Sequence, residues 1–171
     1  MPETTPTLHL LCGKIAAGKS SLARRLAEPE GTVLISEDDW LAALYPGEIV
    51  SLADYVRCSA RLKILMGPHV EALLREGLSL VLDFPANTMK QRAWMRQIID
   101  NAGVPHRLHF LDVPDDICKS RLRARNASGS HDFQAGDAEF DVITSHFTPP
   151  APEEGFDVVV YSDPSRGSAV R

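Results

Sequence analysis

Long apolar runs are missing from this sequence: no stretch approaches the ~18 apolar residues that a bilayer-spanning helix needs. The opening Met1-Pro2-Glu3-Thr4-Thr5 lacks a basic start and an apolar core, so no secretory leader is expected. Cysteine is scarce and odd in number. Cys12, Cys58 and Cys118 lie far apart, which excludes a disulfide framework and fits buried thiols in a reducing, cytoplasmic compartment. The sequon Asn126-Ala127-Ser128 is then expected to go unused. Positive charge is in deficit, with 18 Lys and Arg against 23 Asp and Glu, a net charge of −5. That argues against a broad nucleic-acid-binding face and leaves room only for a local basic groove. The histidines show no ligand spacing, and the chain has no internal repeat.

What remains is an ordinary globular composition: 171 residues, 44% apolar and 24% charged. This suits a single domain over residues 1–171, large enough to bury a core, with loose tails at 1–7 and about 163–171. Strand-like apolar runs at Leu8–Cys12, Thr32–Ser36, Leu78–Asp83, His106–Asp112 and Phe156–Tyr161 alternate with helical patterns. The helices are expected at Lys19–Glu28, Ser51–Met66, Pro68–Glu76, Thr88–Ala102 and Pro114–Arg125. In the fourth, Trp94, Met95, Ile98, Ile99 and Ala102 recur at helical spacing as a core face, whereas Lys90, Arg92 and Arg96 are expected to point elsewhere. Gly103 closes that helix and Pro114 opens the next. The alternation predicts a three-layer α/β fold: a parallel sheet with helices on both faces and right-handed crossovers.

The chemistry-bearing stretch is Gly13-Lys14-Ile15-Ala16-Ala17-Gly18-Lys19-Ser20, which satisfies G-x-x-x-x-G-K-[ST] at every fixed position. It follows a strand and opens a helix, the context that this motif requires. The glycines at 13 and 18 are expected to adopt backbone angles closed to other residues, turning amide N–H groups onto phosphates. The helix that begins at Lys19, with Ser21 in its first turn, adds the positive end of its dipole. Lys19 is placed to reach the β- and γ-phosphates and the Ser20 hydroxyl to ligate Mg²⁺, which makes this a nucleoside-triphosphate site.

Ligands of open parallel sheets bind beyond the carboxyl ends of the strands, and two acidic positions stand there. Asp83 follows Leu78-Ser79-Leu80-Val81-Leu82, the pattern of a carboxylate that holds Mg²⁺ or its water. It is poorly placed as a helix cap, because Asn87 or Thr88 would cap better. Asp38 and Asp39 follow Val33-Leu34-Ile35-Ser36-Glu37. One of them could serve as a base on an acceptor hydroxyl, or Ser36, Asp38 or Asp39 could cap the helix through Trp40-Leu41-Ala42-Ala43-Leu44.

In Ile117-Cys118-Lys119-Ser120-Arg121-Leu122-Arg123-Ala124-Arg125, a 100° step puts Arg121 and Arg125 in the sector of Ile117, Cys118 and Leu122. Guanidinium groups on a buried stripe are costly unless they meet an anion. A surface helix end with favourable dipole contacts is the alternative. Arg123 faces away, as a solvated charge. The polar run after it, about 126–137 and including His131, reads as a closing lid.

Together, Gly13–Ser20, Asp38-Asp39, Asp83-Phe84-Pro85-Ala86-Asn87 and Arg121-x-x-x-Arg125 resemble the P-loop kinases grouped as AAA-like ATP-binding proteins, relatives of polynucleotide 5′-kinases, chloramphenicol phosphotransferase and zeta toxins. The resemblance covers most of residues 8–160. It implies a sheet of order 2-3-1-4-5 with the phosphate-loop strand in the middle. It also implies ATP and Mg²⁺ as cofactors, Lys19 and Ser20 as phosphate and magnesium residues, Asp83 as the second acidic motif, Asp38 as general base, and Arg121 and Arg125 as lid arginines. One departure matters: where polynucleotide kinases carry an arginine for the acceptor phosphate, this chain has Leu41. The expectation is a kinase acting on the hydroxyl of a small, partly apolar molecule, with Trp40, Leu41 and Leu44 nearby. A polynucleotide 5′-kinase, or an ATP-binding switch or weak ATPase without an acceptor, is the alternative.

Overall fold

The computed structural model of the protein describes residues 5–129 and 135–162. Five strands, β1 (Leu8–Cys12), β2 (Thr32–Ser36), β3 (Ser79–Pro85), β4 (His106–Leu111) and β5 (Val158–Tyr161), form one sheet. Its order is β2-β3-β1-β4-β5, and every neighbouring pair is parallel. This is the expected P-loop order, with β1 in the centre. The helices are α1 (Lys19–Leu26), α2 (Glu37–Leu44), α3 (Leu52–Arg75), α4 (Met89–Ala102), α5 (Asp115–Ala127) and α6 (Asp137–Thr144).

Alternation along β1 divides the core into two clusters. Leu8, Leu10 and Cys12 face Cys58, Leu62, Met66, Val70 and Leu74 of α3 and Met95, Ile98 and Ile99 of α4. Leu11 faces the other way, onto Leu22 and Ala23 of α1, Cys118 and Leu122 of α5 and Phe140 of α6. Each such fully buried aliphatic side chain contributes about 1.5–3 kcal/mol before entropy is counted. Helices on both faces give the three layers. All three cysteines are buried and free, and burial pushes the Cys12 thiol up to about 12, so it stays protonated. No helix of the described residues is long and apolar enough to cross a membrane.

Four local expectations need correction. The two helices read at Ser51–Met66 and Pro68–Glu76 are one helix, α3, with Pro68 inside it. Pro68 and Ile64, one turn before it, lie on the exposed side, where water can satisfy the carbonyl that the missing N–H leaves open. Gly67 is buried there against Trp94 of α4, where a Cβ would stand 3.6 Å from Nε1, an ordinary contact distance. Arg92 does not point outwards with Lys90 and Arg96: it is fully buried, with a bidentate bond to Glu154. Thr7 is not part of a loose tail, because its N–H donates to Ser79 Oγ and its carbonyl accepts from Leu80. Finally, helix α6 begins at Asp137, the last residue of the expected lid, and no helix was expected there. Of that lid, Asn126 and Ala127 belong to α5, and 130–134, with His131, lie outside the described residues. So do 1–4 and 163–171 of the expected tails.

Candidate active site

The phosphate loop joins β1 to α1, and its geometry follows from two residues with different tasks. Gly18 is the N-cap of α1 at φ 101°, ψ 18°, a conformation that disfavours any side chain. Gly13 has no positive φ, which corrects the expectation for that position. What it needs is space: a Cβ there would lie 3.1 Å from the Leu111 carbonyl oxygen and 3.3 Å from Ala17 Cβ. Between them Ala16 sits at φ 61°, the one non-glycine residue of the described chain with positive φ. Such strain at a loop tip is commonly found at ligand sites. Gly18 provides no side-chain cap for α1, so the first-turn amides face the loop without a side-chain acceptor at the cap.

Lys19 folds back over this loop. Its ammonium donates to the carbonyl oxygens of Gly13 at 2.6 Å and Lys14 at 2.8 Å. Burial pulls its pKa below the ordinary lysine value, opposed chiefly by the carboxylate of Asp83 and more weakly by Asp38. A desolvated cation of this kind gains most from a multivalent anion. Lys14 is turned outwards, 2.5 Å from Asp115 Oδ1 and over the ring of Phe147. Ser20 and Ser21 are exposed in the first turn of α1, and Ile15, Ala16 and Ala17 pack on the second core cluster.

Asp83 lies within β3, at the point where the register with β1 slips: Leu10 pairs with Leu82, and Leu11 with Pro85. Asp83 and Phe84 are the residues passed over, so the strand buckles at the half-buried carboxylate. On its other side β3 keeps register with β2, and Asp83 is the partner of Ser36. Ser36 is the cap of α2, its Oγ accepting from the Asp39 N–H at 3.3 Å. Capping therefore belongs to Ser36 and to neither aspartate. Asp38 and Asp39 are both exposed in the first turn of α2, and Asp38 acts electrostatically on Lys19, Tyr55 and Arg125.

The residue before Asp38 belongs to no motif. Glu37 is 1% exposed, and its carboxylate accepts from Tyr55 Oη at 2.6 Å and Ser59 Oγ at 2.5 Å, with Lys63 Nζ at 3.8 Å. These three partners stand four residues apart on α3, so Glu37 pins the first turn of α2 to that helix. The available signal was that spacing of polar side chains on an otherwise apolar α3 face.

Of the arginines, Arg121 and Arg125 are half-buried and Arg123 is exposed. Nη1 of Arg121 donates to the Ala17 carbonyl of the phosphate loop at 3.4 Å. Nε of Arg125 is buried without a hydrogen-bond partner. Burial lowers the Arg125 pKa, and Asp38 opposes that. Arg123 instead forms an ion pair with Asp137 of α6. The stripe is less buried than the spacing predicts, because Ile117 is 41% exposed whereas Cys118 and Leu122 are core.

Near α2, Leu41 is core at 3% exposed, and Trp40 and Leu44 are exposed. With Asp39 and Ala43 these two line an open concavity on α2. At the end of β3, Thr88 caps α4 in a capping box with Gln91. Asn87 reaches the phosphate loop instead, its Oδ1 accepting from Gly13 N–H at 2.9 Å.

These features fit a nucleoside triphosphate: a strained loop tip at Ala16, a desolvated lysine folded over the loop, and an arginine whose buried Nε lacks a partner. The described fold also has known counterparts. A kinase candidate from Chloroflexus aurantiacus shares 22% identity at TM-score 0.73, covering 95% of this chain and 92% of its own. A sugar kinase from Janibacter sp. HTCC2649 shares 16% at TM-score 0.59, covering 95% and 90%. The APS kinase of Mycobacterium tuberculosis, solved with AMPPNP and APS, shares 24% at TM-score 0.55, covering 85% and 84%. No curated protein matches the sequence. The family model described as "AAA domain" matches residues 8–150. The chain therefore belongs to the AAA domain family and has the fold of its P-loop kinase-like members.

Proposed function

We propose that the protein is an ATP-dependent phosphotransferase that moves the γ-phosphate of ATP to a hydroxyl group of a small molecule in the cytoplasm. The observation that carries this reading is that Lys19 and Asp83, at the carboxyl ends of β1 and β3, share their surroundings with Asp38: Asp83 pairs with Ser36, two residues before Asp38, both carboxylates support the Lys19 charge, and Asp38 also supports that of Arg125. A triphosphate site alone needs only the first two. Asp38 adds a carboxylate on the neighbouring strand's outlet, held at that place by the Ser36 cap and the buried Glu37.

In this reading the backbone from Gly13 to Gly18, with Ser20 and Ser21, cradles the β- and γ-phosphates, and Lys19 exchanges its two carbonyl contacts for phosphate oxygens. Ser20 and Asp83 would hold the Mg²⁺ of the nucleotide, which supplies neutralisation of phosphate charge. Asp38 accepts the proton of the acceptor hydroxyl as that oxygen bonds to the γ-phosphorus. The bond to the β-phosphate oxygen breaks and ADP leaves. Arg121 and Arg125 meet the charge on the transferring group.

For the acceptor, the core burial of Leu41 weighs against a nucleic acid end, because that position offers nothing to an acceptor phosphate. The exposed Trp40 and Leu44 beside Asp39 favour a partly apolar molecule. The sugar kinase and APS kinase among the structural neighbours act as kinases on a sugar and on APS, and they share the fold alone. The decisive experiment is a phosphate-transfer screen with ATP across sugars, nucleosides, antibiotics and oligonucleotides. Labelled product on a small-molecule hydroxyl is expected. Product only on oligonucleotides would make the protein a polynucleotide 5′-kinase, and slow ATP hydrolysis with every acceptor would make it a switch or weak ATPase.

A further inference from the structure

The segment just after β3 is held more tightly than a connection to α4 requires. Ala86 N–H donates to the Leu11 carbonyl at 3.0 Å, and the Ala86 carbonyl accepts from Arg92 Nη1 at 2.9 Å. Asn87 N–H donates to Gln91 Oε1 at 2.9 Å, and the Asn87 carbonyl accepts from Thr148 N–H at 2.8 Å. The Asn87 side chain is left to face the phosphate loop, where Oδ1 accepts from Gly13 N–H at 2.9 Å.

Behind this residue stands Arg92, fully buried. Its Nε and Nη2 donate to the two Glu154 oxygens at 2.7 and 2.9 Å, and Nη1 also donates to the Thr148 carbonyl at 2.8 Å. A buried ion pair is a poor way to gain stability, because apolar side chains of like volume commonly do as well or better. Its directional bonds do fix geometry: one guanidinium holds the residue before Asn87 and the residue bonded to Asn87 in the same place.

Gly13 is clamped from two sides, by Asn87 on its N–H and by Lys19 on its carbonyl. The second clamp is the one a nucleotide removes, since Lys19 must turn from that carbonyl to a phosphate. We infer that Asn87 is a positioning residue for the phosphate loop, with Arg92 and Glu154 as its anchor, and that its bond to Gly13 matters most when nucleotide is bound. The inference rests on the nucleotide-binding part of the proposed function and is independent of any acceptor.

The test compares the full chain with Asn87→Ala and Asn87→Ser, the latter keeping a shorter hydrogen-bond acceptor. Three quantities are read: affinity for Mg–AMPPNP by calorimetry, the Gly13 amide resonance by ¹⁵N NMR, and the thermal midpoint of the free protein. Loss of a buried donor's partner predicts that Asn87→Ala weakens Mg–AMPPNP by about tenfold or more and shifts the Gly13 amide. Asn87→Ser should recover part of the affinity. A fall in thermal midpoint with unchanged affinity in both variants would overturn the inference and leave Asn87 a structural residue only. An unmoved Gly13 amide in Asn87→Ala would overturn it too. Wild-type protein that does not bind Mg–AMPPNP would overturn the nucleotide reading together with this inference, whereas binding without phosphate transfer to any acceptor would overturn the kinase reading alone.

Discussion

Ser36 and Asp83 are partners on adjacent parallel strands, so the residue that caps α2 shares a rung with the carboxylate that does most to hold up the Lys19 charge. Parallel register carries both strands out of the sheet at the same edge, and Asp38 follows two residues after Ser36. The acidic groups of the two outlets thus converge because of strand order 2-3-1, which sets β3 between β2 and the phosphate-loop strand.

Lys19 supplies the first prediction. Burial disfavours its ammonium in the free protein, so Lys19→Met should leave the thermal midpoint unchanged or slightly raised. The same substitution should abolish most affinity for Mg–ATP in calorimetry, because it removes the cation folded onto the Gly13 and Lys14 carbonyls. Unchanged affinity would show that the loop is no phosphate cradle.

The arginines give a three-way comparison. Arg121→Ala and Arg125→Ala should each lower turnover, by roughly 10³-fold where the guanidinium meets the transferring phosphoryl group. Arg123→Ala should leave turnover close to wild type, since that side chain is committed to Asp137 on the surface. Steady-state kinetics on an identified acceptor decides this. Equal, mild effects from all three would mark α5 as an ordinary surface helix.

Strands and the phosphate loop were legible because their signals are local. β1 and β2 fall at the expected residues, each being a short apolar run between breakers. The failures share a cause in tertiary contact. Pro68 reads as a helix stop until Gly67 is seen packed against Trp94. Arg92 reads as a surface charge on a helix until Glu154, sixty-two residues later, closes on it. Asn87 and Thr88 both read as caps; Thr88, with Gln91 three residues on, takes that task, and only the fold shows that Asn87 is thereby freed for Gly13, seventy-four residues away. Among the candidate site residues, motif and strand end single out Lys19 and Asp83, whereas Glu37 emerges only from the face of α3.

A pH dependence follows from the histidine pair on β1 and β4. His9 Nδ1 and His109 Nε2 lie 3.0 Å apart, and His109 Nδ1 is 2.9 Å from Tyr161 Oη. One shared hydrogen fits between the two rings and a second does not. Burial, the neighbouring ring and Arg107 lower His109 to about 4, and burial and Arg107 lower His9. The unfolded chain takes up these protons near 6.5, before the folded protein does. Stability from this pair is therefore fully present above pH 6.5 and lost as pH falls from there towards 4. Urea unfolding at pH 7 and pH 5.5, a window that avoids most carboxylate titration, should show wild-type stability falling. His109→Gln should show a flatter difference between the two pH values, whatever its absolute stability. Equal slopes in both proteins would mean that the pair titrates normally.

The last prediction separates the base from the cap. Ser36 holds the Asp39 N–H, so Ser36→Ala should cost about 1 kcal/mol of stability and Asp39→Asn close to none. Asp38→Asn should leave nucleotide affinity near wild type, because the loop, Lys19 and Ser20 are untouched. It should nonetheless lower phosphate transfer by at least about two orders of magnitude, the contribution of a general base positioned on the attacking hydroxyl. Glu37→Gln gives the complementary case: it keeps the volume and loses the carboxylate that accepts from Tyr55 and Ser59. Loosening the first turn of α2 in this way should lower transfer less than Asp38→Asn does, and lower the thermal midpoint more. Should Asp39→Asn abolish transfer while Asp38→Asn spares it, the base is Asp39 and the mechanism stands. Full activity in both variants on a proven acceptor would remove the carboxylate base, and with it the argument that this site transfers phosphate to a hydroxyl.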